Sequence, residues 1–462
     1  MIGIATPLTF LRSQNSQGVG DLEDLYLLID WCSSNKIELI QLLPINDTGL
    51  ESSPYAGISS VALNPIYLRL PTTTPFLKYL NDLDRTPYSI VIEEKMRLLK
   101  EMSLPDIDPQ FLKDFPTLKE FAVYKTLKEQ NNYSSHSWFF PQAKSVEEIL
   151  KGADSNFLQT VDFHLKVQQH LFHSWKKVKA YADQKGVFLM GDLPIVVFKE
   201  SHEVYFHPHL FDLNFEAGAP PDAFAPEGQN WGQPVYRWEE HEKEGYKFFE
   251  IRLKTLEQFF SYYRIDHTIG FFHFWQVPVG EKGVHGKFDC TDPHKYLPKA
   301  KERLTALLKA TSMKPIAEDL GTKPEGMDML LKELHIPGMK VLRWEEDTDN
   351  FPALSMSAIS LHDISLLGSW FKQENGRQVN DEERITLLKA SLTTPSFYKI
   401  NLLQEYLDLE PRYRFDFDEQ ERINIPGTVL PTNWTVRMRP YLEEILQNKE
   451  LSASLSTLLN HL

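Results

Sequence analysis

The 462-residue chain carries 64 acidic against 49 basic side chains, a formal net charge of −15, and no long run of Lys or Arg, which excludes the basic face that nucleic-acid binding requires. Its 42% hydrophobic and 24% charged residues are those of a soluble globular protein with material for one large elaborated domain or two to three ordinary ones. No window approaches the roughly 18 uninterrupted apolar residues of a membrane span, and the start lacks the basic and apolar regions of a secretion signal, so the expected location is the cytoplasm.

Taken in order, Gly3 to Leu8 reads as a first strand and Asp21 to Trp31 as the amphipathic helix after it, with Asp21 as N-cap and Asp24, a weaker partner than Glu, at the capping-box position. Cys32 at the end of that stretch and the distant Cys290 cannot define a disulfide framework or a metal site and read as reduced bystanders. Ile37 to Pro44 predicts the second strand. The loop after it contains Ser53-Pro54-Tyr55, where Tyr55 either meets a ligand or packs in a turn. From 72 to 151 the pattern changes to charged segments such as Ile92 to Lys100 with Pro-containing breaks, which predicts a helical insertion whose charge runs are solvated faces. Alternation resumes with a long helix near 156–184 and a strand over 187–195. Residues 217–236 are too rich in Gly and Pro to read as helix or strand and predict a long loop. Long loops of this kind tend to be functional, and Trp231 beside amides and a carboxylate suits ring stacking with hydroxyl recognition; simple loop closure is the alternative. Further strands are expected over 263–272, 313–321, 339–344, 358–363 and 396–403, and a final helix over 441–459 packs outside. Gly18-x-Gly20 has no phosphate-loop context, and His207-x-His209 lacks a third ligand, so both read as ordinary turn residues.

Three of the later strands end in carboxylates: Asp266 within Tyr263-Arg264-Ile265-Asp266-His267, Glu318 in Ala317-Glu318-Asp319, and Asp363 after His362. An ionised carboxylate on a buried strand costs several kcal/mol unless it is paired or faces a cleft. Strand ends that converge on one pocket are the signature of a parallel (β/α)8 barrel, the TIM barrel, with helical insertions. Arg264, two residues before Asp266, falls on the same strand face and keeps that carboxylate ionised and aimed. Asp266 and Glu318 suit a retaining glycosidic mechanism, in which one carboxylate attacks the anomeric carbon and a protonated carboxyl serves the leaving oxygen. Metal binding by Asp266, Glu318 and Asp363, aldol chemistry and isomerisation use similar constellations. The 12% of aromatic residues also fits a sugar-binding cleft, although most belong to the core.

The segments Ser53-Pro54-Tyr55, Gly191-Asp192-Leu193-Pro194-Ile195, Pro220-Pro221-Asp222, Gly228-Gln229-Asn230-Trp231-Gly232, Arg264-Ile265-Asp266-His267, Ala317-Glu318-Asp319-Leu320-Gly321, His362-Asp363, Asn424-Ile425-Pro426-Gly427-Thr428 and Asn433-Trp434, in that order, resemble the 4-α-glucanotransferase family, also called amylomaltase or disproportionating enzyme. The resemblance runs nearly end to end. It implies transfer of α-1,4-glucan segments between maltooligosaccharides or α-glucans, with no cofactor and no metal. It also implies Asp266 as nucleophile, Glu318 as acid/base and Asp363 as transition-state carboxylate. Tyr55, Asp222, Gln229, Trp231, Arg264, His362 and Asn424 fall on substrate-binding positions, and 217–236 on an active-site lid. Leu361-His362-Asp363-Ile364-Ser365 and the stretch after His267 look more like the cytosolic plant-type branch, which acts on maltose and a polysaccharide. Gln404-Glu405 replaces a commoner Gln-Asp, and the starch-binding modules of that branch do not precede the barrel. An α-amylase-type hydrolase and a non-catalytic glycan-binding barrel are the competing readings.

Overall fold

Short segments with nearly continuous apolar character bury both faces, which a parallel sheet permits only when helices cover it. A computed structural model of the chain describes residues 1–133, 145–222, 225–345 and 347–459. Its strands are β1 (Ile2–Thr6), β2 (Leu39–Leu42), β3 (Phe188–Leu193), β4 (Phe211–Ala219), β5 (Gln229–Tyr236), β6 (Tyr262–Ile265), β7 (Trp275–Pro278), β8 (Lys287–Phe288), β9 (Lys314–Ala317), β10 (Gly338–Val341), β11 (Ser355–Ala358) and β12 (Tyr398–Leu402). Eight of them close a barrel in the order β1-β12-β11-β10-β9-β6-β3-β2, every described pairing parallel. The fold is therefore the expected (β/α)8 barrel. Leu39, Met190, Tyr262, Ile316, Met356 and Ile400 fill its interior, and a larger apolar layer lies between strands and helices. Among the described residues, no helix is long and apolar enough to cross a membrane.

The first helix, α1 (Leu22–Ser34), starts where the capping signal puts it. Asp21 accepts from Glu23 N at 3.0 Å, and Asp24 returns a carboxylate oxygen to Asp21 N at 3.0 Å, so the shorter aspartate closes the capping box. Between β2 and β3 lie α2 (Pro75–Asn81), α3 (Tyr88–Glu101), α4 (Pro109–Asp114), α5 (Thr117–Gln130), α6 (Val146–Lys151) and the long α7 (Ser155–Lys185), followed after β3 by α8 (His202–Phe206). Part of the predicted helical insertion, 134–144, lies outside the described residues.

Four expectations need correction. First, the strand predicted over 263–272 ends at Ile265. His267 turns into the left-handed region at φ 38°, and Thr268–Phe271 forms a 3-10 turn, fixed by Thr268 Oγ1 donating to Ile265 O at 3.0 Å. Asp266 therefore sits at the barrel mouth rather than inside the sheet. Second, β10 and β11 stop at Val341 and Ala358, so Asp363 lies on a turn beyond its strand. Third, residues 217–236 are largely strand. β4 pairs antiparallel with both β5 and β7, and β7 with β8, in a four-stranded sheet. Glycine and proline are accommodated there for identifiable reasons: a Cβ at Gly218 would come within 2.0 Å of Gln229 O, and Pro234 pairs with Glu216 at a break in register. Residues 223–224 lie outside the described residues. Fourth, the last helix divides into Leu442–Gln447 and Lys449–Leu459, because Asn448 leaves helical geometry and its Oδ1 caps Leu451 N at 2.9 Å.

The N-cap of α1 is also the anchor of the helices beyond β2. Arg69 reaches Asp21 Oδ2 at 2.5 Å and Asp24 Oδ1 at 2.6 Å, both carboxylates fully buried. Replacing Asp21 by Ala removes the cap and half of this arginine's pairing. The expected loss is about 3–5 kcal/mol in denaturant unfolding; a loss below about 1 kcal/mol would mean that the pair contributes nothing to stability.

Candidate active site

The site grows from one strand position. Arg264 on β6 pairs in register with Asp192 on β3, so the two side chains leave the barrel wall at the same level. Arg264 is 2% exposed. Its Nη1 donates to Asp192 Oδ1 at 2.9 Å and Oδ2 at 2.7 Å and to Asp266 Oδ1 at 2.9 Å, while Nη2 donates to Glu318 Oε2 at 2.6 Å. One guanidinium thus gathers carboxylates from three strand ends. Ile195 N donates to Asp266 Oδ2 at 3.3 Å, and His267 N donates to Glu318 Oε2 at 2.7 Å. The turn after β6 is stitched to β9 by Thr268 N donating to Glu318 O at 2.9 Å.

Both described donors to Glu318 bond the same oxygen, Oε2, which leaves Oε1 for a proton. Burial raises the Glu318 pKa to about 7, with the charge of Asp266 adding to the effect and Arg264 opposing it. Burial likewise lifts Asp192 above the ordinary carboxylate range against Arg264. Burial alone would depress Arg264, but its carboxylates hold it firmly charged.

A second cluster faces the first. Tyr55 donates its hydroxyl to Asp192 Oδ2 at 2.9 Å and meets His362 Nε2 at 3.2 Å and Arg264 Nη1 at 3.4 Å. His362 Nε2 also lies 3.4 Å from Asp363 Oδ2, and Asn424 Nδ2 donates to Asp363 Oδ1 at 2.7 Å. Burial pushes Asp363 up, but the charge and hydrogen bond of His362 and the Asn424 amide outweigh it and bring the carboxyl down to about 2. Burial pulls His362 down, and Asp363 more than reverses this. Trp434 packs 5.6 Å from the Tyr55 ring and 5.9 Å from the His362 ring, centroid to centroid.

The structure therefore brings together Tyr55, Arg264, Asp266, Glu318, His362, Asp363 and Asn424. Trp231 joins at one remove: its ring stands edge-on to His267 at 4.8 Å, and its Nε1 donates to Gln229 Oε1 at 3.1 Å. Asp222 is exposed in the β4–β5 turn, where its Oδ1 accepts from Ala225 N at 2.6 Å, a contact within that turn rather than with Arg264. Sequence reasoning gave no site role to Asp192 and Trp434, though both stand in segments that carry the resemblance, and missed Arg422, whose Nη2 donates to Asp363 O at 3.1 Å and Asn424 O at 2.8 Å. Asp192 carries the signal used for the others, a carboxylate near the end of an apolar strand. His207 and His209 each face a different glutamate, Glu120 at 2.9 Å and Glu244 at 2.8 Å, and no cluster of metal-ligand type occurs among the described residues.

Comparison with known proteins agrees with this architecture. A family model described as 4-alpha-glucanotransferase matches residues 6–443. The chain is 32% identical to the 4-alpha-glucanotransferase of Chlamydia muridarum over 99% of its own length and 94% of that protein's. It is 33% identical to the Chlamydia pneumoniae protein of the same name, over 100% and 95%. A rice (Oryza sativa) 4-alpha-glucanotransferase is 35% identical over 62% of this chain and 33% of the plant protein. Among solved structures, the amylomaltase from Streptococcus agalactiae in complex with acarbose superposes with a TM-score of 0.79 at 23% identity, over 99% of this chain and 98% of that one, a likeness of fold. The chain belongs to the 4-alpha-glucanotransferase family.

Proposed function

We propose that the barrel mouth disproportionates maltooligosaccharides and α-glucans by double displacement, with Asp266 as nucleophile, Glu318 as acid and then base, and Asp363 as the carboxylate that steadies the developing oxocarbenium charge. The single observation that supports this most is the shared guanidinium, which bonds Asp266 through Nη1 at 2.9 Å and Glu318 through Nη2 at 2.6 Å. Two carboxyls so tethered can act on opposite sides of one glycosidic bond.

In the first step Asp266 forms an ester with the anomeric carbon. The glycosidic C–O bond breaks, and the Glu318 proton goes to the departing 4-oxygen. In the second, an acceptor's 4-hydroxyl attacks that carbon, its proton passes to Glu318, and the ester bond to Asp266 breaks. Tyr55, His362 and Asn424 are assigned to the sugar on the Asp363 side. Trp231, Gln229 and Asp222 on the β4–β5 hairpin are assigned to a lid over 217–236 that excludes water and so favours transfer over hydrolysis.

Pure protein incubated with maltotriose is expected to give glucose together with longer oligomers; glucose without longer products would identify a hydrolase instead. Asp266→Asn should lower kcat by about 10⁴-fold or more with an unchanged thermal transition, and turnover within about tenfold of the parent would end the nucleophile assignment. Because the first step needs protonated Glu318, kcat/KM should fall as pH rises through about 7. Glu318→Gln should abolish that limb and keep bond cleavage only for a glycosyl fluoride, whose leaving group needs no proton. An alkaline limb that persists in this variant would assign it to another group.

A further inference from the structure

The loop that carries Tyr55 closes on itself. Asn46 and Leu63 pair as an antiparallel bridge across its base, and Asp47 N donates to Ala62 O at 2.9 Å, so 47–62 has the form of a compact Ω-loop. At its root sits Asp47, fully buried. Its Oδ1 accepts from Gly49 N at 2.9 Å and its carbonyl from Ile58 N at 2.7 Å, so one residue fixes both limbs of the loop. The other carboxylate oxygen, Oδ2, is bonded by Lys125 Nζ, which comes from the middle of α5 and is 2% exposed. An ammonium and a carboxylate both removed from water are tolerated only in close, fixed geometry, so the pair admits a narrow range of positions of the loop against the helix. α3 braces the same root, Tyr88 Oη meeting Thr48 Oγ1 at 2.7 Å and Asn64 Nδ2 at 2.5 Å.

We propose that Lys125 is a positioning residue for the reaction. By holding Asp47 it sets where Tyr55 stands, and hence whether the Tyr55 hydroxyl reaches Asp192 and, through Asp192, the guanidinium that aims Asp266 and Glu318. The route is Lys125, Asp47, the loop backbone, Tyr55, Asp192, Arg264. It ties a helix with no described contact to the three carboxylates to the electrostatics of the barrel mouth. The inference rests on Tyr55 belonging to the working site.

The test is a double-mutant cycle on the full chain, with Lys125→Met made in the parent and in Tyr55→Phe, and kcat, KM and the thermal transition read for maltotriose disproportionation. Displacing a positioned group by about 1 Å costs about 10²-fold, so Lys125→Met should lower kcat/KM by about 10- to 100-fold in the parent and by less than about threefold in Tyr55→Phe, where its route is already cut. Equal losses in both backgrounds would overturn the proposal, since Lys125 would then act on the fold at large. A silent Tyr55→Phe would instead show that the Tyr55 assignment has failed, and the proposal with it. If Lys125→Met does not fold, Lys125→Met with Asp47→Asn leaves no unpaired buried charge; a loss confined to the Tyr55 background then supports the proposal, and equal losses with and without Tyr55 overturn it.

Discussion

A single buried cation that answers three carboxylates is the constraint on which this site depends. Arg264 presents its guanidinium to Asp192, Asp266 and Glu318 at distances between 2.6 and 2.9 Å while itself 2% exposed. A lysine could not substitute, because the interaction uses two separated nitrogens held in one plane, one aimed at Asp192 and Asp266 and the other at Glu318. The cost of burying so many charges is offset only while the geometry holds. That explains the amount of backbone devoted to it: the register of β3 against β6, the left-handed turn at His267, and the amides of Ile195 and His267 donating to Asp266 and Glu318.

One cation among three carboxylates leaves an excess of negative charge, and a proton is the cheapest way to relieve it. Glu318 carries the oxygen without a described donor, and burial raises it to about 7, the direction that favours its protonated form. At the other side of the mouth the balance is reversed. Asp363 has an imidazole and an amide to itself and is lowered to about 2. Carboxyls whose environments push them apart in this way suit the acid and the permanent anion of the proposed function. Neither environment belongs to one residue alone. Tyr55 joins the two halves, since its hydroxyl touches Asp192, Arg264 and His362 together.

Much of this was legible in the chain. The barrel was readable because its strands are short apolar runs, and the carboxylates were readable because charge is conspicuous at the end of such runs. The pairing of Arg264 with Asp266 followed from a spacing of two. Its bonds to Asp192 and Glu318 did not, because they depend on the register of β6 against its neighbours β3 and β9, strands more than 50 residues away in the chain, which no local pattern encodes. The hairpin at 217–236 was misread for a related reason: glycine and proline argue against a strand on average, yet Gly218 is required by the close approach of Gln229 and Pro234 sits where the ladder is already broken. Trp434 and Arg422 meet the site through packing and backbone carbonyls on a loop distant in sequence from Asp363; Asn433-Trp434 helped carry the resemblance, but no local pattern gives either residue this place. The helices beyond β2 read as charged surface, yet α5 contributes a buried lysine to the root of the Tyr55 loop.

The most direct examination of the central claim is chemical trapping. Glu318→Gln exposed to an α-maltosyl fluoride should accumulate a covalent glycosyl-enzyme, because the ester can form without an acid and cannot be opened without a base. Digestion and mass spectrometry should then find a maltosyl ester on the peptide that contains Asp266. An adduct on a different carboxylate, or rapid transfer with no adduct at any stage, would contradict the account of Arg264 as the group that holds a nucleophile and an acid on either side of one bond.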